Sequence, residues 1–191
     1  MKAKQNVIGM YVGLSAKSRI DFLIKHYVDI ERLREAYKDW VVDIMIDART
    51  SNRNRRDDLG VRVQTSNGIS DITFCQATER MLFDDCFKKL MVTEDMFPDP
   101  YEYELINLAL FEWDLMKREY ENLRHGFKLF LDEEETKIID SYFKREKLLY
   151  DIADEYCIEP ESANKRVYRI RKKLVSGVIP RFKEYNIKIP A

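Results

Sequence analysis

A chain of 191 residues has room for one domain, or for a small domain with a helical extension; its formal net charge of -1, from 33 Lys+Arg against 34 Asp+Glu, gives it no overall electrostatic character. Hydrophobic residues at 45% and aromatics at 12% exclude a fully disordered chain. Charged residues at 35%, with only 6 Gly and 5 Pro, point to solvated helices and away from a turn-rich sandwich or barrel.

The N-terminus carries a short apolar run, Val7-Ile8-Gly9-Met10-Tyr11-Val12-Gly13-Leu14, which glycines interrupt and which leads straight into Lys17 and Arg19. It reads poorly as a signal peptide. Residues 18 to 48 read as one amphipathic helix, with Ile20, Leu23, Ile24, Tyr27, Ile30, Leu33, Tyr37, Trp40, Val41 and Ile44 on a single stripe. That stripe suits an internal bundle or a homodimer equally well. The aromatics Tyr27, Tyr37, Trp40, Phe111 and Trp113 lie on helical stripes and read as core.

Residues 49 to 73 read as a flexible loop, rich in Ser, Asn, Gly and Arg, with Arg53, Arg55 and Arg56 solvated or, as the alternative, in contact with DNA or RNA, and Val61-Arg62-Val63 able to form a very short strand. Helical spacing returns over 74 to 92 through Ala77, Met81, Leu82, Cys86 and Leu90. Pro98 and Pro100 stop it. The longest helix is expected from Tyr101 to about Phe130, with Leu105, Leu108, Phe111, Leu115, Glu119, Asn122 and Leu123 on its stripe. Its acids, Glu102, Glu104, Glu112, Asp114, Glu119 and Glu121, read as a solvated face.

Three shorter helices follow. Leu131-Asp132-Glu133-Glu134-Glu135 opens the first, with acids where the helix dipole favours them. Lys144-Arg145-Glu146-Lys147 breaks the chain, and Leu148 to Tyr156 forms the second. Cys157-Ile158-Glu159 is a tight turn, and Pro160 opens the third, which runs to about Val178. Ala163, Val167, Ile170, Leu174 and Val178 make one buried stripe on that third helix. Ser162, Lys165, Arg166, Arg169, Lys172 and Lys173 lie opposite. From Ser162 to Lys183 the basic residues are Lys165, Arg166, Arg169, Arg171, Lys172, Lys173, Arg181 and Lys183, with no acid among them. The preceding stretch, 126 to 161, is strongly acidic, so the sign of the charge switches at the third helix. Positive charge along one helix suits phosphate, and amide or guanidinium groups suit base edges. The bland reading is a basic, solvated final helix of a bundle.

Helix, short turn, longer helix is the spacing of a helix-turn-helix. Leu131 to Leu174 resembles, without a gap, the C-terminal (region four) module of bacterial sigma factors. The residues that carry the likeness are Leu131 and Glu135, Ile138, Ile139 and Phe143, Ile152-Ala153, Ile158, Arg166-Val167 and Arg171-Lys172-Lys173-Leu174. Cys157 stands where that module has a turn glycine, Glu159 where it has a Ser/Thr cap, and Ala163 where it has a larger aliphatic residue. The whole chain resembles phage late-transcription regulators of the RinA and ArpU type, with Ser70-Asp71-Ile72-Thr73 before a helix as a minor further likeness.

The expected fold is all-α, with five or six helices. Residues 1-125 should form a helical N-terminal part with its 49-73 loop, and residues 126-191 a three-helix helix-turn-helix domain, winged-helix-like or sigma region-four-like. The resemblance implies a sequence-specific DNA-binding transcriptional regulator, an activator of phage or prophage genes. Lys165, Arg166 and Arg169 would face the major groove, with Ser162 and Asn164 near base edges, and Lys172, Lys173, Lys144, Arg145 and Lys147 on phosphates. Expected partners are double-stranded DNA and, as open alternatives, RNA polymerase and a second copy of the chain; a membrane is not among them. Two other functions stay open: a sigma-like factor that binds core RNA polymerase, and a helical protein-protein interaction module without DNA binding.

No phosphate-binding glycine loop and no convergent catalytic carboxylates occur, so the chain does not read as an enzyme and no cofactor is expected. Cys75, Cys86 and Cys157 are scattered and odd in number, which argues against a disulfide framework and for a cytoplasmic protein. With His26 and His125 they match no metal-ligand spacing.

Overall fold

The structure is a computed structural model that describes residues 8–57 and 72–185, with the backbone alone at 51–57 and 72–78. Among the described residues the fold is all-α. Seven α-helices follow in order: α1 (Ala16–Lys25), α2 (Ile30–Asp57), α3 (Ile72–Lys89), α4 (Pro100–Phe130), α5 (Glu133–Phe143), α6 (Leu149–Glu155) and α7 (Pro160–Val178), with a 3-10 turn at Ile179–Arg181. That is one more helix than expected. No described helix is long and apolar enough to cross a membrane.

The extra helix comes from a break in what reads as one helix over 18 to 48. α1 ends at a cap on His26, and residues 26–29 turn before α2 begins. The apolar stripe runs unbroken through the turn because Tyr27 is itself a core residue. Its ring meets those of Tyr120, Phe127 and Phe143 at centroid distances of 5.5, 5.8 and 5.7 Å, and its hydroxyl donates to Asp140 Oδ1 at 3.1 Å. Periodicity reports burial, and here burial continues where the helix does not. Part of the stretch expected as a loop, 49–73, is helical. α2 continues to Asp57 and α3 begins at Ile72, so Arg53, Arg55 and Arg56 lie on helical backbone. Val61-Arg62-Val63 and Ser70-Asp71 lie outside the described residues.

Within the described residues the chain divides into two compact units. One takes residues 8–10, 35–57 and 72–114; the other takes 11–34 and 115–185. In the first, Phe83, Cys86 and Phe87 form the buried face of α3, while Met81 is 72% exposed and Leu90 also lies outside the core. The Met81–Leu90 stripe expected from the sequence is therefore displaced by part of a turn. Phe87 meets Trp113 edge to face at 5.1 Å, and the Phe pair at i, i+4 fills more of the core than the methionine could. Trp40, expected in the core, is exposed on α2.

The correction with the most consequence concerns the acids of α4. Glu112 and Glu119 are buried, so the solvated-face reading fails for both. Glu112, in the first unit, accepts from the Gly9 backbone N–H at 2.7 Å and from the Tyr37 hydroxyl at 2.6 Å. Glu119, in the second unit, is gripped by the fully buried Arg19, whose Nε donates to Oε2 at 2.9 Å and to Oε1 at 3.2 Å. Tyr11 donates its hydroxyl to the same carboxylate at 2.8 Å. Arg19 completes its bonding with the carbonyl of Leu14 at 2.7 Å and that of Lys183. A buried charge persists only when paired and hydrogen-bonded in this way.

The second unit holds α1, α5, α6, α7 and the C-terminal half of α4. α4 and α7 meet there at two glycines. A Cβ on Gly126 would strike Val178, and one on Gly177 would lie 2.5–2.7 Å from the Phe130 ring. Both positions need a side chain no larger than hydrogen for the helices to close on each other.

Candidate nucleic-acid interface

α5 begins with a reciprocal cap. Asp132 Oδ1 accepts from the Glu135 backbone N–H at 2.7 Å, and Glu135 Oε2 accepts from the Asp132 N–H at 3.2 Å. The helix buries Ile138, Ile139 and Phe143 and ends in a Schellman motif. The Glu146 N–H reaches the Ser141 carbonyl at 3.0 Å and the Arg145 N–H reaches Tyr142 at 3.1 Å, with Arg145 left-handed at φ 60°.

α6 ends in the same way. The Ile158 N–H donates to the Ala153 carbonyl at 2.9 Å and the Cys157 N–H to Asp154 at 3.2 Å. Cys157, at φ 49°, fills the left-handed position that glycine occupies at little cost. Its departure from the glycine of the resembled module thus leaves the turn formed but strained, by about 1–2 kcal/mol. Glu159 caps α7 with no side-chain hydrogen bond, and Pro160 supplies the first turn.

α7 follows the expected pattern closely. Ala163, Val167, Ile170, Leu174 and Val178 are all buried. Each of the larger four contributes roughly 1.5–3 kcal/mol by leaving water. At 3.6 residues per turn, Lys165, Arg169 and Lys172 lie directly opposite that stripe, with Ser162 at the start of the row. All four are exposed. Lys165 pairs with Glu161 on its own helix at 2.7 Å, both side chains well exposed. Among the described residues Arg169 and Lys172 form no ion pair. Asn164 is exposed but sits on the flank nearer Arg171.

The remaining cations of α7 are held by acids on other helices. Arg166 Nη2 lies 2.8 Å from Glu134 Oε2, its guanidinium 4.7 Å from the centroid of the Tyr156 ring. Lys173 Nζ lies 2.5 Å from Glu135 Oε2. Arg171 Nη2 lies 2.8 Å from Asp21 Oδ1 of α1. Arg166 and Lys173 therefore belong to one flank of α7 and not to its outward row.

The α5–α6 turn is likewise committed locally. Lys144 bonds Asp140 at 2.6 Å, and that hydrogen bond raises its pKa above the usual lysine value. Lys147 reaches Glu155 at 2.6 Å, with the same direction and cause. Arg145 donates to the Lys25 carbonyl at 3.3 Å. Of the ten residues singled out from the sequence, the structure brings Ser162, Lys165, Arg169 and Lys172 into one outward strip and spreads the other six around it.

Glu134, Glu135, Asp21 and Tyr156 meet the cations of this surface; the sequence shows Glu134 and Glu135 as first-turn acids of α5 but not that any of the four meets a cation of α7. Only Glu135 had a further readable signal, the Asp132-x-x-Glu135 capping box. Among the described residues no group of three or more His, Cys, Asp or Glu side chains is placed to hold a metal ion. No protein family, no curated protein and no solved structure matches the chain.

Proposed function

We propose that this chain is a sequence-specific DNA-binding transcriptional regulator whose α6–turn–α7 segment acts as a helix-turn-helix, with α7 as the groove-facing helix. One observation carries the reading: Ser162, Lys165, Arg169 and Lys172 form an exposed row opposite a fully buried stripe, on a segment from 162 to 183 that contains no acid. Positive charge on one rigid helix face, begun by a hydroxyl residue and presented by a capped turn, suits a groove lined with phosphate. Lys165 and Arg169 read base edges, Ser162 opens their row at the helix start, and Lys172 holds phosphate; Asn164, on the flank nearer Arg171, drops out of the base-reading set. The likeness of 131–174 to the sigma-factor module, and of the chain to phage late-transcription regulators, supports phage or prophage genes as the targets and activation alongside RNA polymerase as the mode of action.

The test is selection from a random duplex pool at two salt concentrations, with wild type beside a Lys165/Arg169/Lys172→Ala variant. An enriched motif that the variant loses supports the reading. Absence of any duplex binding, specific or salt-sensitive, rejects it.

A second reading has its own observation. Leu148, the cap of α6, is 65% exposed, and Tyr150 on α6 and Tyr168 on α7 are 70% and 64% exposed, which suits a protein partner. Under that reading, reversing the charge at Lys165 and Arg166 leaves function intact.

A further inference from the structure

Taking the DNA reading of α7 as its basis, we propose that Glu134 and Glu135, on the first turn of α5, are specificity-determining residues: they hold Arg166 and Lys173 back from phosphate and confine DNA contact to a narrow strip. The argument starts from how firmly each acid is placed. Glu135 is fixed at both ends, by its reciprocal cap with Asp132 and by Lys173 at 2.5 Å, and its side chain is only 21% exposed. Glu134 holds a guanidinium that also rests on the Tyr156 ring, and Arg166 keeps only 33% of its side-chain exposure. Pulling Arg166 toward phosphate would break the ion pair and the ring contact together.

The ion pair on the outward row is of a different kind. Lys165 and Glu161 are 63% and 75% exposed on one helix, and such a pair yields readily to a stronger anion. Arg169 and Lys172 have no ion pair to break among the described residues. The fold therefore sorts the cations of α7 into a responsive row and a restrained flank.

That sorting bears on specificity through the two components of DNA affinity. Phosphate contacts act on every sequence, and each neutralised phosphate steepens log affinity against log salt by about 0.9. Base contacts act only on the right sequence. Restraining Arg166 and Lys173 lowers the first component and leaves the row that faces the groove untouched. The ratio of specific to random binding rises accordingly.

The experiment uses the full chain carrying Glu134→Gln, Glu135→Gln or both, titrated with salt against the selected site and against a random duplex. Glutamine keeps the shape of the side chain and the capping box. Glu133→Gln is the matched control: it removes the same charge from the same turn, and among the described residues Glu133 pairs with no cation. Glu134→Asp keeps the charge and should keep the wild-type salt slope. The expected result is random-duplex binding about tenfold tighter at low salt in the double variant, with a slope steeper by about one per released cation. The specific-to-random ratio falls, and Glu133→Gln shows neither effect. Equal effects at all three positions would reduce the phenomenon to net charge and overturn the proposal. So would unchanged slopes in the Gln variants when Lys165/Arg169/Lys172→Ala abolishes binding, which leaves the DNA reading standing. If wild type and variants all ignore duplex DNA, the DNA reading fails first and this proposal with it.

Discussion

α4 and α7 are both long, amphipathic and heavily charged, yet they dispose of their charges in opposite ways. α7 buries an apolar stripe and leaves its cations outside or at the flanks. α4 buries two carboxylates, Glu112 and Glu119, alongside Leu105, Ile106, Leu110 and Leu115. The difference lies in the partners. α7 offers a single packing face. Each buried glutamate of α4 meets donors that come from far along the chain: Gly9 and Tyr37 for Glu112, and Tyr11 and Arg19 for Glu119. A charged residue at a stripe position is thus undecided until its partners are known.

The comparison is broken most strongly at the α4 end. Arg19→Met leaves Glu119 buried without its cation, and should cost about 3–5 kcal/mol in urea unfolding. A cost below ~1 kcal/mol would mean that the pair is a surface pair after all. On α7 the corresponding blow is to the stripe. Ile170→Ala should cost about 2–5 kcal/mol, whereas Lys172→Ala should stay within ~0.5 kcal/mol and, under the proposed function, lower duplex affinity alone. Gly177→Ala places a methyl against the Phe130 ring and should cost about 1–3 kcal/mol, read as a lowered melting temperature.

The smaller effects sharpen the picture. Cys157→Gly relieves a left-handed residue at the α6–α7 turn and should raise stability by about 1 kcal/mol without changing duplex affinity. Alkali gives a graded probe of the buried hydrogen bonds. Burial, and then the Glu112 and Asp140 carboxylates, hold Tyr37 and Tyr27 protonated well above the ordinary tyrosine value. Since their folded pKa values are raised, the stability they contribute is fully present below about pH 10 and is lost as pH climbs beyond it. Urea midpoints should fall from pH 10 upward, and less steeply in Tyr37→Phe; a flat profile to pH 11 would contradict the hydrogen-bonded burial of both hydroxyls.

The C-terminal helices were the most legible part of the fold. The α7 stripe at Ala163, Val167, Ile170, Leu174 and Val178, the proline start, and the polar break at 144–147 all follow from spacing and local backbone chemistry. The candidate site was legible only in outline. The sequence reading set Arg166 and Lys173 opposite the stripe with the others, but helical spacing stands them roughly 80–100° from its centre; on that flank the acids of α5, more than thirty residues away, pair with them. Nothing within α7 announces that pairing.

By itself, then, the sequence determined where α7 starts, which of its faces turns inward and that its charges from Ser162 onward are all of one sign. These depend on residues within a turn or two of each other. Only the tertiary structure decided that a turn interrupts the stripe at 26–29, that Glu112 and Glu119 go inside, that Gly126 and Gly177 receive a neighbouring helix, and which cations of α7 remain available. Each of those depends on residues dozens of positions apart. An ion pair, a cap on a buried carboxylate and a close helix crossing take their energy from the group that arrives from elsewhere in the chain.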